Sequence, residues 1–186
     1  MNKLLIRFID FLMALFGLLV TFPILLTVLI VGYFDTGSPI FIQQRVGKNK
    51  RPFNLIKFRT MSVDTKSVAS HLASSASITK LGGFLRKSKI DELPQLINVL
   101  KGEMSFVGPR PNLFNQQVLI DEREQRGVYK VLPGITGLAQ VNRIDMSTPK
   151  LLAETDQKMI ETFSLKKYFI FILQTATGSG SGDRVG

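Results

Sequence analysis

The sequence contains no cysteine, and His71 is its one histidine. The absence of cysteine excludes disulfides and thiolate metal sites. A single histidine almost excludes histidine-cluster metal sites and nucleophile pairs of the Ser-His or Cys-His type. Any chemistry therefore depends on carboxylates, lysines, arginines, hydroxyl groups and hard, oxygen-bound cations such as Mg²⁺. His71 itself lies in the Ser-rich stretch 62–80, which predicts a loop, and we interpret it as an exposed loop residue.

Acidic residues are also few. The chain has 24 Lys and Arg against 14 Asp and Glu, a formal net charge of +10. Such a balance suggests a polyanionic partner, either nucleic acid, anionic lipid or a phosphorylated small molecule. No nucleic-acid recognition motif is visible, and many of the basic residues lie beside an apolar segment. Lipid headgroups and phosphates are therefore favoured over nucleic acid.

Charged residues are almost missing from the stretch Phe8 to Phe34. This run is long enough to cross a hydrocarbon core of about 30 Å as a helix, and too long for a signal peptide. Pro23 near its middle predicts a break, and basic residues flank both ends, from Arg7 before it to Arg45 after it. Since basic flanks favour the cytoplasmic side, residues 1–35 are predicted to form a re-entrant membrane helix broken near Pro23. A kinked membrane-spanning anchor is the alternative.

The rest of the chain is predicted to be one mixed α/β domain, residues 36–176, followed by a flexible Gly/Ser-rich tail, residues 177–186. "SPIFIQQRV" and "FNLIKFRTM" have the pattern of two strands joined by a turn. The stretch "LPQLINVLKG" predicts a helix that begins near Pro94 and stops at Gly102. Segments 114–130, 149–163 and 164–176 also predict helices, the last of them either interfacial and amphipathic or part of the core.

Two adjacent carboxylates, Asp91 and Glu92, stand at the start of the helix that follows Pro94. One interpretation is helix capping, which would contribute about 0.5–2 kcal/mol. The other is a phosphate and metal site, because Arg86 and Arg110 supply the basic rim that such a site needs. Carboxylates attack phosphorus to form acyl phosphates in some enzymes. The residues alone leave these two interpretations even.

On the second predicted strand, Lys57 and Arg59 share one face. They are interpreted either as phosphate contacts or as residues that lie on anionic lipid headgroups.

Three blocks of the sequence, "FIQQRVGKNKRPFNLIKFRTM", "GGFLRKSKIDELPQLINVLKGEMSFVGPRPN" and "VLPGITGLAQVN", resemble the bacterial sugar transferase family. They fall in the order and spacing of that family. The chain resembles the short form of these monotopic phosphoglycosyl transferases, which is little more than the catalytic domain, and the re-entrant helix of the family agrees with the charge argument. The sequence departs from the family pattern around the site, at Lys89-Ile90, Leu138 and Lys158-Met159.

The resemblance implies transfer of a sugar-1-phosphate from a UDP-sugar to polyprenol (undecaprenyl) phosphate, with release of UMP. Asp91 would be the nucleophile of a covalent phospho-sugar intermediate, and Glu92 would bind Mg²⁺. The implied substrate-binding residues are Arg86 for a phosphate, Arg110 and Pro111 for the nucleotide diphosphate, and Lys57 and Arg59 for phosphate contact. The implied location is the cytoplasmic face of the bacterial inner membrane, against anionic lipids and near downstream glycosyltransferases.

Two other functions stay open at this point. One is a non-catalytic membrane scaffold of the same fold that recruits glycosyltransferases. The other is a phosphatase that hydrolyses the same acyl phosphate with water.

Overall fold

The computed structural model describes residues 3–65 and 77–177. In chain order the elements are α1 (Lys3–Thr36), β1 (Ile40–Val46), β2 (Pro52–Phe58), α2 (Lys80–Ser88), α3 (Gln95–Lys101), β3 (Ser105–Val107), α4 (Gln117–Gln125), β4 (Gly134–Thr136), α5 (Leu138–Val141), α6 (Pro149–Glu161) and α7 (Leu165–Ala176). Short 3-10 turns lie at Lys48–Lys50, Ile90–Glu92 and Val128–Lys130. The predicted mixed α/β class is confirmed. His71 and the tail beyond Thr177 lie outside the described residues, and the predicted domain boundaries stay predictions.

The apolar N-terminal segment forms one helix of 34 residues that continues through Pro23. The prediction that the helix is broken at this residue is therefore wrong. Proline removes one hydrogen-bond donor, and neighbouring threonines bond to nearby helix carbonyls: Thr27 Oγ1 donates to the Pro23 carbonyl at 2.8 Å, and Thr21 Oγ1 to the Gly17 carbonyl at 2.7 Å. Proline and such threonine bonds both favour bending without ending the helix. A re-entrant course through a membrane remains a prediction.

One stripe of α1 packs on the domain along nearly the whole helix. The packed residues fall at helical spacing in two groups, with a gap of two turns between Leu18 and Leu25. They are Arg7, Asp10, Ala14, Gly17, Leu18, Leu25, Val28, Gly32 and Asp35. Its first half covers β2, α3 and α7, and its second half covers β2 and α2. The opposite face is exposed and apolar, with Phe16, Leu19, Phe22 and Phe34 each more than half exposed. α1 is therefore docked on the domain from end to end.

At the start of α1, Asp10 and Arg7 lie one turn apart, and each has polar partners in other elements of the domain. Asp10 is buried, and its Oδ1 accepts bonds from Ser105 Oγ at 3.0 Å, the Phe106 amide at 3.0 Å and the Tyr168 hydroxyl at 2.8 Å. Arg7 Nη2 donates to the Leu100 carbonyl at 2.7 Å. A buried carboxylate needs several hydrogen-bond donors. Since the donors to Asp10 come from β3 and α7, this residue ties α1 to both elements.

The predicted hairpin is present, since β1 and β2 pair antiparallel with Phe41 opposite Lys57 and Arg45 opposite Phe53. α3 lies against β2 through Asn98, which is fully buried. Its Oδ1 accepts the Ile56 amide at 3.1 Å, and its Nδ2 donates to the Asn54 carbonyl at 2.7 Å. These two bonds therefore fix the position of α3 along β2, and with it the position of the turn that precedes α3.

β3 and β4 form a parallel pair of three residues each, with Ser105 opposite Gly134 and Val107 opposite Thr136. Just past β3 the two backbones nearly touch, and a Cβ on Gly134 would lie 2.0 Å from the Gly108 nitrogen. Only residues without a side chain allow this approach. It brings the segment after Gly108 beside the segment after Gly134.

The predicted helices after Pro94 and at 149–163 and 164–176 are confirmed as α3, α6 and α7, and segment 114–130 divides into α4 and a 3-10 turn. Arg45, expected on a basic membrane flank, is buried, with Nη1 donating to the Pro111 carbonyl at 3.2 Å. The exposed basic residues of that flank are Lys48, Lys50 and Arg51.

Candidate active site

Asp91 and Glu92 lie in the 3-10 turn Ile90–Glu92, between α2 and α3. Lys89 precedes them in the left-handed conformation, with φ 59°, and turns the chain sharply out of α2. Asp91 is 4% exposed, and Glu92 is partly exposed. The N-cap of α3 is Pro94, whose side chain makes no capping bond. Glu92 is not the N-cap of α3, and its carboxylate instead accepts a hydrogen bond from a side chain of another loop, so the capping interpretation does not describe Glu92.

That partner is Arg110. Its Nη2 lies 2.7 Å from Glu92 Oε1, and both side chains are mostly buried. Arg110 belongs to the Pro109–Pro111 segment, which follows β3 at the close approach of Gly108 and Gly134. Two of the residues predicted to form one site are thus in direct contact, although 18 positions separate them. The planar guanidinium, held beside the Glu92 carboxylate, is a group that suits phosphate recognition.

Arg86 is placed in the last turn of α2, with Nε donating to Thr60 Oγ1 at 2.8 Å. Thr60 is buried, and α2 approaches its backbone very closely. A Cβ on Gly82 would lie 2.0 Å from the Thr60 carbonyl oxygen, so glycine is required for the contact. This approach holds the end of α2, and with it Arg86, against the end of β2.

Lys57 and Arg59 share a face, as predicted, and both lie over the ring of Phe41. The Lys57 ammonium is 5.7 Å and the Arg59 guanidinium 5.4 Å from the ring centroid. Arg59 Nε also donates to the Ser38 carbonyl at 2.8 Å. Lys57 is buried, on the strand that packs against the 90–92 turn. Cation–π contacts of this kind stabilise the hairpin face, and a phosphate role for either residue stays a prediction.

A shallow pocket opens on the side of Arg110, beneath the end of β1. It is lined by Val46, Gly47, Pro109, Arg110, Pro111, Arg123, Val128, Tyr129, Val131 and Pro133. The lining is mostly apolar, with two arginines and one tyrosine as its polar side chains. The Pro-Arg-Pro segment therefore presents Arg110 between the dyad and a small apolar recess.

The residues at the dyad fit Mg²⁺. Mg²⁺ prefers oxygen ligands and is commonly held by one or two carboxylates together with substrate phosphates and water. Asp91 and Glu92 supply carboxylates, and within residues 3–65 and 77–177 no cluster of three or more acidic or histidine ligands forms a complete cage. A cation here would depend on phosphate oxygens for the rest of its coordination.

Sequence reasoning missed a buried ion pair behind Arg110. Arg123 of α4 donates to Asp156 Oδ2 of α6 from Nη2 at 2.7 Å and from Nε at 3.0 Å, and both residues are almost fully buried. Burial raises the pKa of Asp156, and the Arg123 guanidinium opposes that rise. The nearby Tyr129 also has a pKa raised by burial, so its phenol stays protonated and donates to Asn112 Oδ1 at 3.0 Å. Residues 121–126, "DEREQR", have the charge pattern of a solvent-exposed helix face, so the sequence does not indicate that Arg123 is buried.

The residues that depart from the family pattern have structural roles here. Lys89 Nζ donates to the carbonyl of Thr175 in the last turn of α7, at 3.2 Å. Leu138 and Met159 pack in the cluster that includes Val107 and Tyr168, whereas Lys158 is exposed. The turn that carries the dyad is thereby connected to the last described helix.

Comparison with known proteins gives a consistent result. A profile of the family described as "Bacterial sugar transferase" matches residues 1–180. The "Uncharacterized sugar transferase EpsL" of Bacillus subtilis (strain 168) is 45% identical over 137 residues, 73% of this chain and 67% of that protein. The "UDP-glucose:undecaprenyl-phosphate glucose-1-phosphate transferase" of Escherichia coli (strain K12) is 43% identical over 148 residues, 76% of this chain and 32% of that protein.

A third relative is the "UDP-N-acetylgalactosamine-undecaprenyl-phosphate N-acetylgalactosaminephosphotransferase" of Aeromonas hydrophila. It is 33% identical over 180 residues, 91% of this chain and 42% of that protein. The chain therefore spans less than half the length of the second and third of these relatives.

Proposed function

Because the chain belongs to the bacterial sugar transferase family, we propose that it is a phosphoglycosyl transferase that moves a sugar-1-phosphate from a UDP-sugar to polyprenol phosphate and releases UMP. The observation that carries the proposal is the 2.7 Å contact between Arg110 and Glu92, which joins the Pro-Arg-Pro loop to the carboxylate dyad. The names of the relatives from Escherichia coli and Aeromonas hydrophila support the same reaction class, with two different sugars.

In the first step, a carboxylate oxygen of Asp91 attacks the phosphorus linked to the sugar. A bond between Asp91 and phosphorus forms, the diphosphate bond breaks, and UMP leaves with the electron pair. Asp91 suits this role because it is largely removed from water, which leaves its carboxylate weakly solvated. Arg86 and Arg110 bind the phosphates and offset the repulsion between the anionic diphosphate and the carboxylate.

In the second step, an oxygen of polyprenol phosphate attacks the same phosphorus and the Asp91 carboxylate leaves. The product is a polyprenol diphosphate sugar. A phosphomonoester has a second pKa of about 6 and is already largely ionised, so the reaction needs no strong base and no histidine. Glu92 would hold Mg²⁺, which supplies charge neutralisation on the phosphates when bound. The product is a substrate for downstream glycosyltransferases, which are the proposed partners.

The proposed acceptor has a long prenyl chain, and the exposed face of α1 offers a place at the membrane for such a molecule. α1 is the one helix among the described residues that has the length and composition to cross a membrane, and 11% of its most apolar window is buried. Both halves of α1 pack on the same domain, which supports a re-entrant course with both ends on one face. We place that face on the cytoplasmic side of the inner membrane, where Lys48, Lys50 and Arg51 meet anionic lipids.

The test is UMP release by purified protein in detergent, with Mg²⁺, undecaprenyl phosphate and a panel of UDP-sugars. The wild type is compared with Asp91→Asn, which has the same shape and lacks a nucleophilic carboxylate. We expect release that requires undecaprenyl phosphate and is lost in the variant, with an unchanged melting temperature. Mass spectrometry of the wild type mixed with donor alone should show a phospho-sugar adduct on Asp91.

Two results would contradict the proposal. Release of sugar phosphate into water, without dependence on undecaprenyl phosphate, would indicate a phosphatase. Absence of both turnover and adduct with every donor would indicate a scaffold.

A further inference from the structure

Every backbone carbonyl of the loop that carries Arg110 accepts a hydrogen bond. Within the described residues the partners, from Pro109 to Leu113 in order, are the Gly134 amide, Arg123 Nη1, Arg45 Nη1, the Val46 amide and Asn112 Nδ2. The loop is buried except at Arg110, and buried carbonyls need protein partners because water does not reach them. Four of these five carbonyls are held from outside the loop, by groups of β1, β4 and α4, and the Leu113 carbonyl is held by the side chain of its neighbour Asn112.

Arg123 is the centre of this arrangement. Its Nη1 donates to the Arg110 carbonyl at 2.8 Å and to Asn112 Oδ1 at 2.9 Å, while Nε and Nη2 donate to Asp156. The guanidinium is planar, so these four bonds fix the carbonyl and the carboxylate in one plane. Arg123 is 1% exposed, so nearly all of its surface is covered by protein, although it forms part of the wall of the small pocket beside Arg110.

A purely structural role explains this residue poorly. Replacing a buried ion pair by apolar residues of similar volume is often neutral or stabilising, so α4 and α6 could be joined without Arg123 and Asp156. What an apolar pair cannot do is donate to the Arg110 carbonyl. A shift of the Arg110 backbone would also move its guanidinium away from Glu92. A displacement of about 1 Å at a reacting centre can lower the rate about 100-fold.

We propose that Arg123, oriented by Asp156, is a positioning residue that fixes the Arg110 backbone so that the Arg110 guanidinium is held at Glu92, beside Asp91. Asn112 and Tyr129 are part of the same device, because Asn112 Oδ1 accepts from both Arg123 and the Tyr129 hydroxyl. The catalytic consequence of this inference rests on the proposed function, whereas its structural consequence, the fixed loop, does not.

The main test is Arg123→Lys in the full chain. Lysine keeps the charge opposite Asp156, but its single ammonium cannot serve Asp156, Asn112 and the Arg110 carbonyl in one plane. The matched control is Arg126→Lys at the C-cap of the same helix, because Arg126 pairs with Glu122 and Glu154 and makes no contact with the loop among the described bonds. We expect kcat/KM for the UDP-sugar to fall about 10- to 100-fold in Arg123→Lys and to stay within about twofold in the control.

Combining the change with Arg110→Ala separates positioning from general loss of structure. If Arg123 acts through Arg110, then Arg123→Lys lowers kcat/KM in the wild-type background and has no further effect once Arg110 is absent. Additive losses in the double variant would overturn the inference. Tyr129→Phe is the milder second variant, should Arg123→Lys fail to fold, and we expect a loss of about two- to fivefold with the same dependence on Arg110.

Hydrogen–deuterium exchange gives a readout that does not require turnover. In Arg123→Lys, and not in Arg126→Lys, we expect faster exchange at the amides of Gly134 and Val46, which donate to the Pro109 and Asn112 carbonyls of the loop. Unchanged exchange at these amides would overturn the inference even if activity fell. If the transferase assay failed for every donor, the proposed function would be wrong, and the exchange experiment would still decide whether Arg123 fixes the loop.

Discussion

At the scale of single residues, the two carboxylates of the dyad have different surroundings. Asp91 is buried at 4% exposure, whereas Glu92 reaches outward to the Arg110 guanidinium. A partner that already neutralises Glu92 can be shared with, or displaced by, a cation that arrives with the phosphates. This difference is compatible with the proposed roles that the family resemblance implies, the nucleophile for Asp91 and the metal ligand for Glu92.

The corresponding prediction concerns Glu92→Gln. The amide keeps the shape and loses the charge that would attract both Arg110 and Mg²⁺. We expect turnover to fall about 10²- to 10³-fold, a range typical of losing one electrostatic group at a reaction centre. We also expect the Mg²⁺ concentration for half-maximal rate to rise, as measured by titrating Mg²⁺ in the UMP-release assay.

The control for this prediction is Glu124→Gln, which removes an exposed ion pair with Lys50. That variant should retain the wild-type Mg²⁺ dependence, since exposed pairs contribute little. If the Mg²⁺ titration curve of Glu92→Gln equals that of the wild type, then Glu92 is not a ligand of Mg²⁺.

At the scale of elements, the position of α2 depends on one of two adjacent glycines. Gly82 faces the Thr60 backbone with no room for a side chain, whereas a Cβ on Gly83 would meet nothing within 4 Å. Thr60 also accepts from Arg86, so the close approach and the placement of Arg86 are one feature.

Alanine at each glycine therefore has opposite expected effects. Gly83→Ala should stabilise the protein by about 0.5–1 kcal/mol, because alanine favours the helix. Gly82→Ala should destabilise it by about 1–3 kcal/mol through overpacking, and should lower turnover by moving Arg86. Thermal unfolding of both variants in one detergent, with UMP release, checks the pair. Equal melting temperatures would show that α2 does not need this contact.

Elements with a strong periodic pattern were predictable from the sequence, and short or distant ones were not. The β1–β2 hairpin and α3 follow from alternating and helical apolar spacing. β3 and β4 are three residues each, too short for a period, and pair in parallel through a long connection. The continuity of α1 through Pro23 also escaped prediction, because proline alone suggests a break and the helix instead bonds around it.

At the candidate site, the residues that belong to sequence motifs could be predicted, whereas the buried residues that position those motifs could not. Asp91, Glu92, Arg86 and Arg110 stand in a recognisable order along the chain. Arg123 and Asp156 lie on helices whose charges look solvated, and their burial depends on how α4 packs against α6. A tertiary contact of this kind leaves no local pattern.

At the scale of the whole molecule, α1 belongs both to the domain and to the proposed membrane segment. Three of the four apolar clusters in the described residues include side chains of α1. Packing of both halves of α1 on one domain is the observation behind the proposed re-entrant course, in which both ends of the helix lie on one side of the bilayer.

This consequence can be measured by cysteine labelling, which is clean because the chain has no native cysteine. Leu4→Cys, near the start of α1, and Lys48→Cys, after β1, are both exposed positions. In intact spheroplasts we expect neither cysteine to react with a membrane-impermeant maleimide, and both to react after the membrane is permeabilised. Reaction of only one of them before permeabilisation would show that the helix spans the membrane.

The buried contact between Asp10 and Tyr168 has a consequence for biosynthesis. The two residues are 158 positions apart, so the acid at the start of α1 leaves the ribosome long before its phenol partner exists. Burial and the Asp10 carboxylate raise the pKa of Tyr168, so its hydroxyl remains a donor once it arrives. Until then Asp10 lacks one of its three donors, and leaving water is costly for it. The first turns of α1 can therefore complete their contacts with the domain only after translation has passed Tyr168.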